Sequence, residues 1–362
     1  MTANGPPAVR DDIAIHCPVK VSETTPYLCL CACGLSFLSA AVFLICRVCV
    51  DPGPEHGLRY NAAMKLHGIF PPLTTPFTSE GALALDRLRE NIGKYNHTHL
   101  AGYVVTGSTG ESVLLSRKET EQVWAAARAA ASSEKILIAG TGVESTAETI
   151  ERTNCAAALG YHAALVKTPH YFKPQMDPQA QLEHFLRVAD AARIPLLLYS
   201  VPQFTGIALE PSLVVRLAQH PNIIGIKESS GNLPRVTEII HLTPVAFQTL
   251  VGSAATLYPS LAVGAVGGIL ALACVLPEAC IELYEAATTG NAQRAKDLQH
   301  RLLPAAQKIV AELGIAGIKH AMDCTGYYGG TPRPPLLPLT EAQRREVEAV
   351  LAGFTSAASA GS

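Results

Sequence analysis

A lysine ends one of the apolar segments near the middle of the chain. Residues 222–231 read NIIGIKESSG, so that Lys227 follows the apolar run IIGI and precedes small polar residues. Such a lysine either emerges into solvent or stays in a dry pocket, and lysines are rarely buried without a partner. In a dry pocket the ammonium loses its proton more readily, and the amine becomes a nucleophile for carbonyl compounds. Lys227 is therefore a candidate Schiff-base lysine.

Two further segments carry groups that this chemistry requires. Loss of water from a carbinolamine needs a proton donor, and Tyr199 of the YSVP segment lies one predicted strand before Lys227. The segment TGSTGE at residues 106–111 lacks both GxGxxG and the lysine of a Walker sequence, which argues against a nucleotide loop. The Ser108 and Thr109 hydroxyls and the backbone N–H groups suit a carboxylate. These groups together predict a site for a small 2-oxo acid.

The elements that would position these residues alternate between short apolar runs and longer helical patterns. Eight apolar runs predict strands at residues 68–74, 102–106, 135–140, 162–167, 195–200, 223–227, 247–251 and 266–270. Helical patterns such as 117–132 and 178–192, rich in Ala, Leu, Glu and Gln, lie between them. This alternation predicts an α/β fold, a closed (β/α)8 TIM barrel. A doubly wound open sheet is the alternative, but the chain offers no convincing phosphate loop for it.

Three more helices are predicted after the eighth strand, at residues 293–313, 315–323 and 340–352. We therefore expect the barrel at residues 64–290 and a C-terminal helical extension at residues 291–362. The active site of such a barrel lies at the C-terminal ends of its strands. Polar motifs follow five of the predicted strands, and we expect them to meet at one mouth: TTPF, TGSTGE, KTPHYF, YSVP and KESS.

The first 63 residues form a separate N-terminal extension in this interpretation. Residues 24–46 contain no charged residue and are about long enough to cross a bilayer as a helix, which makes them a candidate membrane anchor or membrane contact. A linker-like stretch follows, and Met64 begins a segment that reads like a natural protein start. The extension could therefore be a real anchor or signal, or upstream sequence included by a start-codon choice.

Composition and charge narrow the classes of partner and compartment. The chain has 28 Lys and Arg against 30 Asp and Glu, so we expect no nucleic-acid partner. The four cysteines after residue 63 lie in apolar segments and show no metal-ligand spacing. We therefore expect reduced core thiols of a cytoplasmic protein, with a mitochondrial location left open. The pair His97 and His99 reads as solvated loop residues, so no metal is expected.

In combination, these motifs resemble the dihydrodipicolinate synthase and N-acetylneuraminate lyase family of class I aldolases. TTPF, GSTGE, TPHYF, YSVP, GIKES and GAVGG occur in the order and spacing of that family over about residues 64–352. The resemblance implies a (β/α)8 barrel, a homotetramer built as a dimer of dimers, a pyruvate-type 2-oxo acid as substrate, and no metal or organic cofactor.

The resemblance also implies roles for individual residues. It implies Lys227 as the Schiff-base lysine, Tyr199 as the acid/base, Ser108 in a proton relay, and Tyr171 reaching into the site of a neighbouring subunit. It places Thr109 on the substrate carboxylate. The full set of expected substrate-binding residues is Thr109, Gly110, Thr75, Ser229, Gly252, Ser253, Phe204 and Gly268.

The choice of member within the family rests on two departures. Dihydrodipicolinate synthases usually place an arginine in the loop after strand 5, where this chain has Phe204, and sialic acid lyases carry an acidic pair where it has GSAA at residues 252–255. YSVP, HPNIIGIK, LQHRL and GYYGG resemble 4-hydroxy-2-oxoglutarate aldolase, with GSTGE in place of GSNGE as one difference. That aldolase is the leading expectation. The alternatives are 4-hydroxy-tetrahydrodipicolinate synthase, a sugar-acid dehydratase, or a non-catalytic barrel that binds an oxo acid.

We predict that the catalytic part does not require residues 1–63, because the barrel pattern begins after Met64 and the apolar run 24–46 has no counterpart within it. The chain shortened to residues 64–362 should be soluble and should release pyruvate from a cleavable 2-oxo acid as fast as the full chain. Insolubility or lost activity of the shortened chain would show that the extension belongs to the catalytic domain.

Overall fold

The computed structural model describes residues 64–355, and within that range the chain forms one parallel eight-stranded sheet. The predicted TIM barrel is confirmed. The expectations about residues 1–63, including the candidate anchor at 24–46, lie outside the described residues. Among the helices of residues 64–355, none combines the length and the apolar character needed to cross a membrane. The strands are β1 Gly68–Phe70, β2 Gly102–Val105, β3 Ile136–Gly140, β4 Ala163–Lys167, β5 Leu196–Ser200, β6 Ile223–Glu228, β7 Gln248–Val251 and β8 Gly267–Ile269.

The barrel runs in the order β1-β8-β7-β6-β5-β4-β3-β2, and residues beside β1 and β2 close the remaining gap. Ala101 N donates to Ile69 O at 3.0 Å, and Leu73 N donates to Val104 O at 2.8 Å. Strand β1 ends at Phe70, earlier than predicted, because two prolines follow and proline has no N–H to donate. The closure makes the sheet a barrel with one mouth at the C-terminal ends of the strands.

Twelve helices surround and extend the barrel within the described range. The predicted helices at 117–132 and 178–192 are present, and each ends one or two residues earlier than expected. Helix α2 starts with a capping box between Ser116 and Glu119, which satisfies backbone N–H groups of its first turn. The helices are α1 Leu85–Asn96, α2 Arg117–Ala130, α3 Thr146–Ala158, α4 Pro178–Ala191, α5 Pro202–Thr205, α6 Pro211–Leu217, α7 Leu233–Leu242, α8 Leu257–Ala262, α9 Pro277–Thr288, α10 Ala292–Ala305, α11 Gly314–Cys324 and α12 Glu341–Thr355.

Two apolar layers form the core. Side chains of alternate strand residues fill the barrel interior, while the others pack outward against the helices, as expected for strands buried on both faces. The interior layer consists of Leu66, Phe70, Val104, Ile138, Ala163, Leu165, Leu197, Tyr199, Val201, Ile224, Leu250 and Ile269. Tyr199 is the polar member of this layer, and its place at the end of β5 puts its hydroxyl at the mouth.

The C-terminal helices pack on the mouth end of the barrel. Helix α10 continues as a π-helical segment over Ala306–Glu312 before α11 begins at Gly314. The Gln299 side chain of α10 joins this unit to the loop after β7, because its Nε2 donates to Ala254 O at 2.9 Å and its Oε1 accepts from Tyr258 N at 2.8 Å. The extension is therefore continuous with the barrel core.

A fully buried ion pair ties α11 to the TGSTGE segment after β2, which we call the GSTGE loop (Thr106–Glu111). Lys319 Nζ lies 2.6 Å from Glu111 Oε1, and neither side chain is exposed. Lys319 also donates to Thr75 O at 2.9 Å and to Thr331 O at 3.0 Å. Desolvation lowers the pKa of Lys319, and the Glu111 carboxylate opposes that change. These contacts hold the end of the GSTGE loop against the C-terminal helix.

Arg333 holds the segment after α11 to the same region. Its backbone N–H donates to Glu111 Oε2 at 2.7 Å, and its guanidinium pairs with Glu119 at 2.6 Å. This pair lowers the pKa of Glu119 to about 2. Arg333 and Lys319 also lie over the ring of Phe77, at 4.3 and 4.5 Å from its centroid. Two cations and two carboxylates thus join α2, the GSTGE loop and the C-terminal segment.

We predict that Lys319→Met lowers the free energy of unfolding by about 3–5 kcal/mol, because it leaves the Glu111 carboxylate buried without its partner. Urea unfolding measures the loss. The double variant Lys319→Met/Glu111→Gln should be more stable than Lys319→Met alone, since it removes the uncompensated charge.

Lys308→Met is the matched control. Lys308 pairs with Glu312 and Glu346 on the surface, and exposed pairs of this kind contribute little. A Lys319→Met protein as stable as the Lys308→Met control would contradict the structural role of the buried pair.

Candidate active site

A cavity of about 740 Å³ opens at the C-terminal ends of the strands. It brings together eight of the twelve residues predicted from the sequence: Ser108, Thr109, Tyr199, Phe204, Lys227, Ser229, Gly252 and Ser253. They come from the ends of β2, β5, β6 and β7. Three of the five predicted strand-end motifs, TGSTGE, YSVP and KESS, therefore supply residues to the cavity, whereas TTPF and KTPHYF do not line it.

Lys227 lies near the end of β6 with 4% of its surface exposed. The parallel ladder places it beside Tyr199 of β5 and Leu250 of β7. No carboxylate oxygen of residues 64–355 lies within 4.0 Å of its Nζ, whereas the buried Lys319 has Glu111 at 2.6 Å. The Lys227 amine therefore lines the cavity without a charged partner among the described residues, and a ligand in the cavity can reach it.

Tyr199 lies against this lysine. The Lys227 Nζ is 4.3 Å from the centroid of the Tyr199 ring, and Tyr199 Oη is 3.3 Å from Ser108 Oγ. Either hydroxyl can donate in that contact. A proton can therefore pass between a group bound at Lys227, the Tyr199 phenol and the Ser108 hydroxyl, which is the arrangement that acid/base chemistry beside an amine needs.

The GSTGE loop has a left-handed non-glycine residue at each end. Thr106 has φ 58° and Glu111 has φ 55°, a conformation that costs such residues about 1–2 kcal/mol each. The neighbours hold Thr106 in place, because Trp124 Nε1 donates to Thr106 Oγ1 at 2.7 Å and that hydroxyl lies 3.1 Å from Gly140 O. Backbone strain of this kind is concentrated at ligand-binding sites.

The backbone hydrogen bonds within the GSTGE loop leave the N–H groups of Ser108 and Thr109 available to a ligand. Gly110 N donates to Gly107 O and Glu111 N donates to Ser108 O, so these bonds do not use the N–H groups of Ser108 and Thr109. The predicted residues Gly110 and Thr75 do not line the cavity, but a hydrogen bond between them holds the GSTGE loop in place. Thr75 Oγ1 donates to Gly110 O at 2.6 Å.

The opposite wall of the cavity is formed by Ser229 and Gly252. The Ser229 hydroxyl is buried and has no hydrogen-bond partner among the described residues, which leaves it for a ligand in the cavity. A Cβ on Gly252 would lie 1.9 Å from Ser229 Oγ, so only glycine lets this hydroxyl occupy its position. Ser253 follows at the cavity edge.

Two predicted residues lie elsewhere. Tyr171 is 77% exposed and does not line the cavity of its own chain, while its backbone N–H donates to Glu144 Oε2 at 2.9 Å. Gly268 lies within β8, where its neighbour Ile269 lines the cavity instead. The neighbouring His170 has its Nδ1 2.8 Å from Glu144 Oε1. Glu144 therefore anchors the loop that exposes Tyr171.

Glu228 occupies a separate environment from Lys227, although the two are adjacent. Glu228 Oε2 accepts from the backbone N–H of Ser230 at 3.0 Å and from its hydroxyl at 2.8 Å. Burial raises the pKa of this carboxyl, and the Ser230 contacts partly oppose the rise. Glu228 thus caps the turn after β6.

Sequence reasoning missed the wall supplied by the C-terminal extension. Residues of the π-helical segment and the start of α11 line the cavity, among them Val310, Glu312, Ile315 and Ile318. The signal that could have revealed this wall is GIAGI at residues 314–318, an apolar run interrupted by glycine between two helical patterns. Among the residues of 64–355 that line the cavity, Lys227 is the cation and Glu312 is the carboxylate, and none is an arginine.

The geometry suits a small 2-oxo acid. An amine without a charged partner can attack a carbonyl carbon, the adjacent phenol can move the proton, and the free N–H groups of the GSTGE loop can hold a carboxylate. Neighbouring strands β5 and β6 place Tyr199 beside Lys227, and Ser108 of the GSTGE loop reaches the Tyr199 hydroxyl from the end of β2.

Known proteins are similar to this chain over nearly the whole described range. The model of the dihydrodipicolinate synthetase family matches residues 65–353. A 4-hydroxy-tetrahydrodipicolinate synthase of Methanothrix thermoacetophila is 38% identical over 285 residues, which are 78% of this chain and 95% of that protein. A 4-hydroxy-tetrahydrodipicolinate synthase of Exiguobacterium is 36% identical over 79% of this chain and 97% of its own length.

Solved structures of this family have a similar fold. The dihydrodipicolinate synthase of Bacillus anthracis superimposes with a TM-score of 0.77 at 28% identity, covering 80% of this chain and 99% of that one. Of the activities expected from the sequence, the names of these relatives fit 4-hydroxy-tetrahydrodipicolinate synthase better than 4-hydroxy-2-oxoglutarate aldolase. With its TIM barrel and this family match, the chain belongs to the dihydrodipicolinate synthetase family of pyruvate-dependent, Schiff-base-forming carbon–carbon lyases.

Proposed function

We propose that Lys227 forms a Schiff base with pyruvate and that the chain joins pyruvate to an aldehyde or splits such an adduct. The observation that carries this proposal is the buried Lys227 amine, which lies beside the Tyr199 ring at 4.3 Å and has no carboxylate of the described residues within 4.0 Å. A purely structural lysine at this depth would need a partner, as Lys319 has in Glu111.

In this proposal the reaction begins with attack of Lys227 Nζ on the ketone carbon of pyruvate. The resulting carbinolamine loses water as Tyr199 gives a proton to the departing hydroxyl, and the iminium ion remains. The Tyr199 phenolate then takes a proton from the pyruvate methyl group, which gives an enamine. The enamine carbon attacks the aldehyde carbon to form the new carbon–carbon bond, Tyr199 returns the proton to the aldehyde oxygen, and water hydrolyses the imine to free Lys227. The reverse sequence cleaves a 4-hydroxy-2-oxo acid and releases pyruvate.

The remaining roles follow from the positions of the groups. Ser108 relays the proton of Tyr199 across the 3.3 Å contact between their hydroxyls. The pyruvate carboxylate accepts from the N–H groups of Ser108 and Thr109 and from the Thr109 hydroxyl. The exposed Tyr171 extends this relay in a second copy of the chain, within a homotetramer built as a dimer of dimers.

For the acceptor we place aspartate semialdehyde first, which makes the chain a 4-hydroxy-tetrahydrodipicolinate synthase. The support is the name shared by relatives 36–38% identical to this chain over nearly their full length. Ser229 and Ser253 are the cavity hydroxyls available to the acceptor.

Phe204 departs from the arginine usual in dihydrodipicolinate synthases, and the motifs that resemble 4-hydroxy-2-oxoglutarate aldolase make cleavage of 4-hydroxy-2-oxoglutarate the second candidate. A carboxylate-bearing acceptor would gain from an arginine in the loop after β5, and that position holds Phe204, which is 65% exposed. Binding a desolvated carboxylate without a partner costs several kcal/mol, which is more than about a hundredfold in affinity. Aspartate semialdehyde and 4-hydroxy-2-oxoglutarate both carry such a carboxylate. The rate of condensation and the rate of cleavage therefore have to be compared directly, at equal enzyme concentration. A tenfold faster condensation would support the first candidate, and a tenfold faster cleavage would support the second.

We predict that borohydride reduction in the presence of pyruvate traps a covalent adduct on Lys227 and on no other lysine. Peptide mass spectrometry locates it, and labelling at another lysine, or none, would refute the Schiff-base proposal.

Tyr199→Phe should keep the fold and slow adduct formation by about 100- to 10,000-fold, the usual contribution of a positioned acid/base. An unchanged rate would remove Tyr199 from this role.

We predict that Phe204→Arg raises kcat/KM for the condensation with aspartate semialdehyde by at least about tenfold, because a guanidinium can hold the acceptor carboxylate in two hydrogen bonds. Steady-state kinetics at saturating pyruvate measure the change. Val245→Arg is the matched control, since Val245 is fully exposed just before β7, at the end of the barrel opposite the cavity. Equal kinetics of Phe204→Arg and the control would show that residue 204 does not face the acceptor.

A further inference from the structure

A cluster of His320, Cys324 and Glu348 lies between α11 and α12, and none of its members lines the cavity. His320 and Cys324 are one turn apart on α11, so their side chains share a face of that helix. Glu348 projects from α12. The Cys324 Sγ lies 3.7 Å from His320 Nε2, and Glu348 Oε1 lies 3.4 Å from the same nitrogen.

These separations match the edges of a tetrahedral zinc site. Zinc binds sulfur at about 2.3 Å, imidazole nitrogen at about 2.0–2.1 Å and carboxylate oxygen at about 2.0–2.2 Å. At tetrahedral angles these bond lengths separate sulfur from nitrogen by about 3.6 Å and nitrogen from oxygen by about 3.4 Å. All three ligand atoms lie within 4.8 Å of one another. The Glu348 side chain is 57% exposed, so it has room to rotate toward the sulfur.

The ligand types select the ion. A thiolate and an imidazole favour zinc and similar borderline metals, whereas magnesium and calcium prefer oxygen ligands only. An ion pair between His320 and Glu348 would explain two members of the cluster without a metal. That ion pair would not explain why the Cys324 thiol lies 3.7 Å from the same ring nitrogen. A thiol forms only weak hydrogen bonds, but its thiolate is a strong zinc ligand.

We propose that His320, Cys324 and Glu348 bind one Zn²⁺ ion that joins α11 to α12, with water in the fourth position. The zinc–sulfur bond forms as the thiol releases its proton to solvent, and no oxidation or reduction takes place. The reaction proposed above needs no metal, so this site stands apart from it. Because α11 begins at the cavity wall with Gly314 and carries the buried Lys319, the ion would restrain a helix that shapes the cavity.

The test is the alkylation rate of Cys324 in the full chain, which is reduced and freed of metals beforehand. Iodoacetamide labelling is followed with no metal, with Mg²⁺, and with Zn²⁺ in excess over all ten cysteines of the chain. Mass spectrometry of the Cys324 peptide separates this thiol from the others. Zn²⁺ should slow its labelling by at least about tenfold, because a metal-bound thiolate is a poor nucleophile, and Mg²⁺ should not.

Three variants separate the cluster from incidental zinc binding. His320→Ala and Glu348→Gln should each lose most of the protection. Glu346→Gln is the matched control, because Glu346 is an exposed carboxylate of the same helix that pairs with Lys308, and it should keep the protection. Equal labelling with and without zinc, full protection in His320→Ala, or a Cys324 that stays unreactive in the metal-free protein would each overturn the proposal.

Discussion

The buried ion pair between Lys319 and Glu111 is the interaction on which the geometry of the cavity depends. Each of these charges would cost several kcal/mol to bury alone, so the barrel loop and the C-terminal helix must come together for either to be tolerated. Lys319 is also connected to the GSTGE loop through Thr75, because Lys319 donates to Thr75 O and the Thr75 hydroxyl donates to Gly110 O. The left-handed conformation of Glu111 is held by these contacts.

This arrangement makes the C-terminal helices part of the cavity. Helix α11 supplies Ile315 and Ile318 to the wall on one side and Lys319 to the loop on the other. A displacement of this helix would change the shape of the cavity and the position of the GSTGE loop together. The barrel and its extension therefore act as one structural unit around the site, in contrast to barrels whose terminal helices only cover the outer surface.

Two buried lysines show how partners decide the chemistry of a residue type. Lys319 has a carboxylate and two carbonyl oxygens around its ammonium group, which satisfies it completely. Lys227 has the face of an aromatic ring and an open cavity. Burial is similar for both, at 0% and 4% exposure, so depth alone does not distinguish a structural lysine from a candidate nucleophile. The distinction lies in what surrounds the nitrogen.

The sequence by itself determined the barrel and the residues at its mouth. Eight apolar runs separated by helical patterns leave few other folds, and a polar motif after a strand of a parallel barrel can only lie at the C-terminal end. That reasoning places Lys227, Tyr199 and the GSTGE loop together from the sequence alone. The boundaries were less accurate, as at β1, where proline ended the strand early.

Only the tertiary structure decided which distant segments meet. The pairing of Lys319 with Glu111 spans more than two hundred residues of chain, and the wall formed by α11 depends on how the helices pack on the mouth. No local pattern records such contacts, because propensity and periodicity act over a few turns, whereas the partner of a buried charge is chosen by the packing of the whole fold. The same holds for Cys324, which the sequence presented as a core thiol and the fold places at the surface beside His320.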